Sequence, residues 1–128
     1  EDLQHYLDQA AVSAAILVGV GALGQALLEQ NTFENIGLNI LAGFDPHPAA
    51  MQSLCRKPIY SMGRLAFFCK CYDVRNGIIA VSAEEAQSVC DGLIACGIQS
   101  IWNFAPVTLQ VPPHVVVHNG AALLRTGA

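Results

Sequence analysis

One stretch of the sequence decides the fold, and it reads AILVGVGALG over residues 15–24. Its first part is a compact apolar run rich in β-branched residues, which predicts a buried strand over residues 15–20. Gly19, Gly21 and Gly24 match the pattern Gly-x-Gly-x-x-Gly, and an apolar helix is predicted directly behind them, over residues 22–29. The pattern alone is weak, but a strand before it and a helix after it are the context of a dinucleotide-binding turn.

Each glycine has a separate role in such a turn. Gly19 permits the tight bend, Gly21 lets a pyrophosphate approach the backbone, and Gly24 lets the helix pack closely on the strand. Helix N-terminal amides would then face the phosphates. Asp45 stands 21 positions after Gly24, at the end of a second apolar strand predicted over residues 38–44. A carboxylate there binds the adenosine ribose hydroxyls and repels a 2′-phosphate, which favours NAD(H) over NADP(H).

The rest of the chain continues to alternate strands with helices. Further strands are predicted over residues 58–60, 77–81, 98–104 and 115–118, and helices over residues 2–8, 49–54, 61–72, 82–96 and, weakly, 119–128. This alternation predicts an α/β three-layer Rossmann fold with a doubly wound, mostly parallel sheet of about six strands. Since neither a repeat nor a linker interrupts it, residues 1–128 are expected to form one domain.

The composition limits the classes of function. Hydrophobic residues make up 53% of the chain and charged residues 12%, which fits a parallel sheet covered on both faces or a surface covered by a partner. With a net charge of −4 and six scattered basic residues, the chain by itself is not expected to grip a phosphate backbone. Glycines interrupt the uncharged stretch over residues 10–28, and the N-terminus is acidic. We therefore expect neither a membrane span nor a signal peptide, and we expect a cytoplasmic protein. In that compartment the five cysteines are expected to be reduced.

The remaining polar residues do not favour catalysis or a metal site. His114 and His118 flank a predicted strand, whose rise would separate the two imidazoles by roughly 13 Å. Tyr60 is not followed by a lysine four residues later, and the spacings support neither a Ser-His-Asp nor a Cys-His set. Trp102 and Phe104 alternate on a buried strand and are interpreted as core residues. Binding without turnover is therefore favoured over a dehydrogenase, which needs a proton donor and a substrate pocket.

Beyond the glycine turn, four segments resemble the Rex family of redox-responsive transcriptional repressors. They are residues 18–27, residues 44–48 with 58–60, residues 80–87, and residues 97–112 with the specific run NFAPV at 103–107. The resemblance implies a C-terminal Rossmann domain that senses the NADH/NAD+ ratio, an N-terminal winged-helix DNA-binding domain, and a homodimer. In that family NADH binding releases the repressor from DNA.

The resemblance also implies which residues contact the cofactor. Asp45 would hold the adenosine ribose, residues 81–83 would line the cofactor, and residues 103–106 would lie near the nicotinamide. The complete predicted set is Gly19, Gly21, Ala22, Leu23, Gly24, Asp45, Pro46, Val81, Ser82, Ala83, Asn103, Phe104, Ala105 and Pro106.

The chain departs from the family pattern in three places. Ser82 stands where the family commonly has proline, no segment resembles the winged helix, and the C-terminus is short. DNA contact is therefore expected only through a winged-helix domain outside this chain, and the short C-terminus weakens the expectation of a homodimer. Two alternatives stay open, an NAD-dependent oxidoreductase fragment and a CoA-binding Rossmann domain. Asp45 counts against the second, because CoA carries a ribose 3′-phosphate near that edge.

Overall fold

The computed structural model describes residues 13–19, 21, 24, 37–46 and 58–119. These residues form six strands, a short 3₁₀ turn over Met62–Arg64, and two α-helices. The strands are β1 Ser13–Val18, β2 Leu38–Phe44, β3 Ile59–Tyr60, β4 Asn76–Ile79, β5 Ser100–Asn103 and β6 Val116–Asn119, and the helices are α1 Leu65–Tyr72 and α2 Ala83–Ala95. The helices predicted over residues 2–8 and 49–54, most of the one at 22–29, and nearly all of the C-terminal tail lie outside the described residues.

The six strands form one sheet in the order β3-β2-β1-β4-β5-β6, and every neighbouring pair is parallel. The order runs outward from β1 in one direction and from β4 in the other, so the chain reverses between these two strands. The predicted doubly wound Rossmann fold is thereby confirmed. In such sheets ligands bind at the carboxyl ends of the strands beside this reversal.

The sheet buries side chains on both faces, as the near-continuous apolar strands predict. Ile16 and Val18 contribute to a cluster in which the sheet packs against Leu65, Cys69, Cys90 and Leu93 of the two helices. On the opposite face, the buried residues are Ala15, Leu17, Leu38, Ile40, Ile59 and Ile78. Successive residues of β1 thus alternate between two buried layers, which explains why this stretch dominates the fold.

Helix α2 begins and ends close to the predicted positions. Glu84 and Glu85 occupy its first turn, where the helix dipole stabilises carboxylates. At its other end Gly97 has a φ of +99°. The Gly97 N–H donates to the Ile94 carbonyl oxygen (3.0 Å), and the Ile98 N–H donates to that of Leu93 (3.1 Å). This is a Schellman motif, and it ends the helix at the position expected from the predicted range of residues 82–96.

Several expected details differ from the structure. Strand β1 spans Ser13–Val18 rather than residues 15–20. The helix predicted over residues 61–72 begins with the 3₁₀ turn, and Ser61 before it makes no side-chain capping hydrogen bond. Strand β5 begins at Ser100 rather than residue 98, because Ile98 still completes the cap of α2 and the N–H groups of Gln99 and Ser100 both donate to the Arg75 carbonyl oxygen. Trp102 is half-buried rather than fully buried, and its ring stacks on that of His118 with 3.9 Å between centroids.

Candidate functional site

The carboxyl ends of the central strands are level with one another. The parallel register pairs Val18 with both Phe44 and Ile79, and Ile79 with Asn103. The residues that directly follow these four positions therefore emerge along one edge of the sheet. They begin with Gly19, Asp45, Ala80 and Phe104, so the edge holds the predicted turns after β1, β2, β4 and β5.

A glycine is required at position 19 by the backbone conformation and by contacts within the protein. Its φ is +94°, a backbone conformation that side chains with a Cβ rarely adopt, and its N–H donates to the Phe44 carbonyl oxygen at 2.8 Å. A Cβ added here would lie 2.7 Å from the Ala80 carbonyl oxygen and 2.7 Å from Val81 Cγ1. Gly19 therefore lets the turn after β1 pass against the turn after β4.

A glycine is also required at position 24, because of a close contact within the protein. It is helical and buried, and a Cβ added to it would collide with the carbonyl oxygen of Gly19. The close approach of helix to strand that the motif predicts is therefore present in the structure.

Gly21 lies between these two glycines but differs from both. It is exposed, and a Cβ added to it would meet no atom of the described residues within 4 Å. Packing against the described part of the chain therefore does not require a glycine at this position. A residue without a side chain here leaves the backbone open to something outside the chain, which is the role that the motif gives to the pyrophosphate site.

Asp45 lies where the sequence placed it, directly after β2. It is half-buried, and its N–H donates to the Tyr60 carbonyl oxygen at 3.0 Å, which extends the pairing of β2 with β3 by one residue. This hydrogen bond holds the backbone of Asp45 at the carboxyl edge of the sheet. Pro46 follows and is exposed.

A cleft of about 320 Å³ opens at this edge, between the ends of β1, β2 and β4 and the start of α2. Three predicted residues line it, Gly19, Pro46 and Val81. The sequence interpretation missed the other lining residues, which are Val18, Met62, Glu84, Glu85, Ser88 and Val89. On α2 the missed residues fall at helical spacing, which identifies one face of the helix, but only the strand order shows that this face meets Gly19.

The charge of this cleft is acidic. Glu84 and Glu85 line it, and its described lining contains neither lysine nor arginine. A bound phosphate group would therefore depend on backbone N–H groups of the glycine turn rather than on a basic side chain.

A second cleft, of about 570 Å³, lies at the carboxyl ends of β5 and β6. It brings together the four predicted residues Asn103, Phe104, Ala105 and Pro106, and adds Val107, Thr108, Leu109, Val117 and His118. Among the other predicted residues, Gly21, Gly24, Asp45, Ser82 and Ala83 line neither cleft, and Ala22 and Leu23 lie outside the described residues.

Asn103 shapes the wall of the second cleft. It is buried, with 8% of its surface exposed. Its Nδ2 donates to the Val107 carbonyl oxygen at 2.8 Å, and the Ala105 N–H donates to its Oδ1 at 3.0 Å. One side chain thus holds both ends of the turn that follows β5.

We expect Asn103→Ala to lower the free energy of unfolding by about 2 kcal/mol, because it leaves a buried N–H and a carbonyl oxygen without their partner. Urea denaturation measures the change. Thr108→Ala is the matched control, since Thr108 is an exposed residue of the same loop and is expected to stay within roughly 0.5 kcal/mol of wild type. Equal stability of Asn103→Ala and wild type would contradict this role.

Within the described part of the chain, none of the helices has the length and apolar character needed to cross a membrane. In these residues no group of three or more His, Cys, Asp or Glu side chains is placed to hold a metal ion.

Comparison with known proteins gives consistent relatives. A family model described as CoA binding domain matches residues 12–107. The redox-sensing transcriptional repressor Rex of Porphyromonas gingivalis is 43% identical over 106 residues, which are 82% of this chain and 49% of that protein. The chain thus spans about half the length of this relative.

Solved structures show the same similarity. The crystal structure of RSP in complex with β-NADH matches with a TM-score of 0.77 and 28% identity, over 98% of this chain and 65% of the RSP chain. The crystal structure of RSP in complex with β-NAD+ and operator DNA matches with a TM-score of 0.76 and 26% identity, over 98% and 62%. RSP is described as a Rex-family repressor. The resemblance to Rex that the sequence motifs indicated is therefore confirmed.

Proposed function

The chain belongs to the CoA-binding domain family, and from this premise we propose that it is the NAD(H)-binding, redox-sensing domain of a Rex-like transcriptional repressor. The observation that carries the proposal is Gly21. Gly19 and Gly24 serve contacts within the protein, whereas a Cβ at Gly21 would meet no atom of the described residues within 4 Å. A pyrophosphate that binds the backbone at this point explains the glycine that these contacts leave unexplained.

We assign the parts of the cofactor to the two clefts and the turn between β1 and the following helix. The glycine turn, with Ala22 and Leu23, would hold the pyrophosphate. Asp45 and Pro46 would hold the adenosine ribose, with the adenine in the smaller cleft beside Val81. Ser82 and Ala83 would border the cofactor from the start of α2. The nicotinamide would lie near residues 103–106, in the larger cleft.

Charge supports NAD(H) over NADP(H). Asp45 ends β2, where the ribose hydroxyls are expected, and Glu84 and Glu85 add two carboxylates to the smaller cleft. A 2′-phosphate at this edge would face carboxylates and no basic side chain of the cleft's described lining. The similar structure that holds β-NADH supports the same class of ligand.

We propose that the domain binds the dinucleotide without turning it over. The relative from Porphyromonas gingivalis is named as a transcriptional repressor, not as an enzyme. The chain has a net charge of −4, so we assign operator binding to a winged-helix domain and cofactor sensing, as a single domain, to residues 1–128. A homodimer, as in the family, is part of the same proposal.

CoA is the second candidate ligand, because the matching family model is described as a CoA binding domain. CoA also has an adenosine and a pyrophosphate, so the glycine turn alone does not distinguish it from NAD(H). Its ribose 3′-phosphate would lie close to Asp45, and the resulting repulsion favours NAD(H).

Calorimetric titration of the 128-residue chain with NADH, NAD+, NADPH and CoA tests the proposal. We expect NADH to bind more tightly than the other three ligands. Asp45→Ala should weaken NADH binding by about 10- to 100-fold, because one or two charge-assisted hydrogen bonds to the ribose are lost. We also expect no oxidation of NADH in the presence of small carbonyl compounds.

Asp91→Ala is the matched control. Asp91 is an exposed carboxylate on α2, and its Oδ1 accepts a hydrogen bond from Gln87 Nε2 at 2.9 Å. It lines neither cleft, so its removal changes the net charge equally and should leave NADH binding unchanged. Tighter binding of CoA than of NADH would favour the second candidate, and turnover of NADH would favour an oxidoreductase.

A further inference from the structure

His118 lies near the carboxyl end of β6 and lines the larger cleft. The parallel register pairs it with Trp102 of β5, and the two rings stack with 3.9 Å between their centroids and 13° between their planes. A side chain that is already held in place loses less conformational freedom when a ligand binds. The stacking therefore fixes the imidazole of His118 as a ready-made part of the cleft wall.

The imidazole also has polar atoms that a ligand can use. Asn103 uses both ends of its amide within the turn after β5, where it contacts Ala105 and Val107. Thr108 is the other polar side chain of the cleft, and it is exposed. Among the residues that the structure describes, none forms a hydrogen bond with the His118 imidazole. Its ring nitrogens can therefore serve a bound molecule.

His118 is the only titratable side chain in the described lining of the larger cleft. That lining has no Asp, Glu, Lys or Arg to face the imidazole, and β5, which packs beside it, has none either. Histidine is the side chain whose charge ordinarily changes between pH 5 and 8. The charge of the described lining therefore depends on this one group. The apolar part of the lining consists of Phe104, Ala105, Pro106, Val107, Leu109 and Val117.

The two forms of the proposed cofactor differ in charge at the nicotinamide. The ring of NAD+ is a cation, whereas the dihydronicotinamide of NADH is neutral, and the rest of the molecule is the same. Apolar surroundings disfavour the cation by desolvation, and a nearby positive charge disfavours it further. With the nicotinamide in the larger cleft, a charge at residue 118 would act on NAD+ much more than on NADH.

We propose that His118 binds the nicotinamide end of the dinucleotide, and that the charge on its imidazole sets the relative affinity for NADH and NAD+. This inference rests on the proposed function, which assigns the nicotinamide to the larger cleft. A neutral imidazole would hydrogen-bond the carboxamide of either form, whereas the imidazolium would repel only NAD+. The preference for NADH is therefore greatest at low pH and falls as the imidazole loses its proton.

Calorimetric titration of variants with NADH and NAD+ at pH 8 tests the effect of charge. His118→Lys adds a permanent positive charge and should raise the ratio of NADH affinity to NAD+ affinity by about tenfold. His118→Glu adds a negative charge and should lower the same ratio by about tenfold. Because lost packing would weaken both nucleotides alike, shifts in opposite directions identify an electrostatic effect at the nicotinamide.

Two controls locate the effect. His114→Lys and His114→Glu make the same changes in net charge at an exposed histidine that lines neither cleft, so the ratio should stay at the wild-type value. ADP-ribose has the adenosine, the pyrophosphate and the second ribose but lacks the nicotinamide. Its affinity for the two His118 variants should change far less than that of NAD+.

The wild-type chain supplies a test that needs no variant. Between pH 6 and 8 the affinity for NAD+ should rise relative to that for NADH by roughly 3- to 5-fold, because an imidazole goes from mostly protonated to neutral over this range. Titration of a group near the adenosine would shift both affinities together and leave their ratio constant. His118→Phe keeps an aromatic ring beside Trp102 but cannot titrate, so its ratio should not vary with pH.

The outcomes distinguish this inference from the proposed function. NADH binding with a wild-type ratio that stays constant between pH 6 and 8 would overturn the role of His118 and leave the proposed function intact. Shifts of the ratio in the same direction in His118→Lys and His118→Glu would also overturn it. If neither NADH nor NAD+ binds, the proposed function fails, and the role of His118 fails with it.

Discussion

Gly19→Ala is expected to lower the free energy of unfolding by about 2–5 kcal/mol. The left-handed backbone costs a residue with a Cβ roughly 1–2 kcal/mol, and overpacking a close contact costs roughly 1–3 kcal/mol. Both costs apply, because the φ of Gly19 is +94° and the new Cβ would lie 2.7 Å from the Ala80 carbonyl oxygen. This atom belongs to the backbone directly after β4, where the Ala80 N–H donates to the Val18 carbonyl oxygen at 2.9 Å, so it cannot move aside cheaply. Chemical denaturation without cofactor measures the change.

Gly92→Ala is the control for this prediction. Gly92 lies inside α2, and outside its own helix backbone a Cβ added to it would meet no atom of the described residues within 4 Å. Alanine is a better helix former than glycine, so this variant should be more stable than wild type by roughly 0.5–1 kcal/mol. If Gly19→Ala were as stable as wild type while Gly92→Ala behaved as expected, the contact between the turns after β1 and β4 would not exist in solution.

Gly21→Ala is expected to weaken NADH binding while it leaves the free energy of unfolding nearly unchanged. Its unfolding free energy should stay within roughly 0.5 kcal/mol of wild type, because the added Cβ would meet no atom of the described residues within 4 Å. NADH binding should weaken by about 10- to 100-fold, since the methyl group would hold the pyrophosphate away from the backbone and remove one or two charge-assisted hydrogen bonds. Denaturation and calorimetry on the same preparation measure both quantities.

The comparison with Gly92→Ala again isolates the cause. That variant also adds a methyl group at a glycine with open space around it, but it lies outside both clefts and should bind NADH like wild type. If Gly21→Ala bound NADH as tightly as wild type, the open space beside Gly21 would not be the pyrophosphate site. The proposed function would then lose the observation on which it rests.

Much of the fold follows from local sequence patterns. Strand β2 has the predicted bounds, and α2 begins and ends within a residue or so of its prediction because its acidic first turn and Gly97 are local signals. Strand β5 is shorter than predicted. Ile98 and Gln99 are apolar or neutral and so fit a strand pattern, but the Ile98 N–H donates to the Leu93 carbonyl oxygen in the helix cap and the Gln99 N–H donates to that of Arg75. Such competition between neighbouring elements leaves no trace in apolar periodicity.

The candidate site was predicted less completely than the fold. Asp45 is identified by its position directly after a strand, and the glycine turn is identified by its motif. Met62, Ser88 and Val89 have none, because they meet the smaller cleft only through the strand order.

The sequence by itself determined the class of the fold, the position of the turn and the carboxylate after β2, because alternation, glycine spacing and strand ends are properties of neighbouring residues. Only the tertiary structure decided what each glycine is for. Gly19 and Ala80 are 61 positions apart in the chain, and their contact exists because β4 lies beside β1 in the sheet. Contacts between distant parts of the chain require Gly19, whereas at Gly21 the described residues leave the backbone open, and there we propose that the ligand binds.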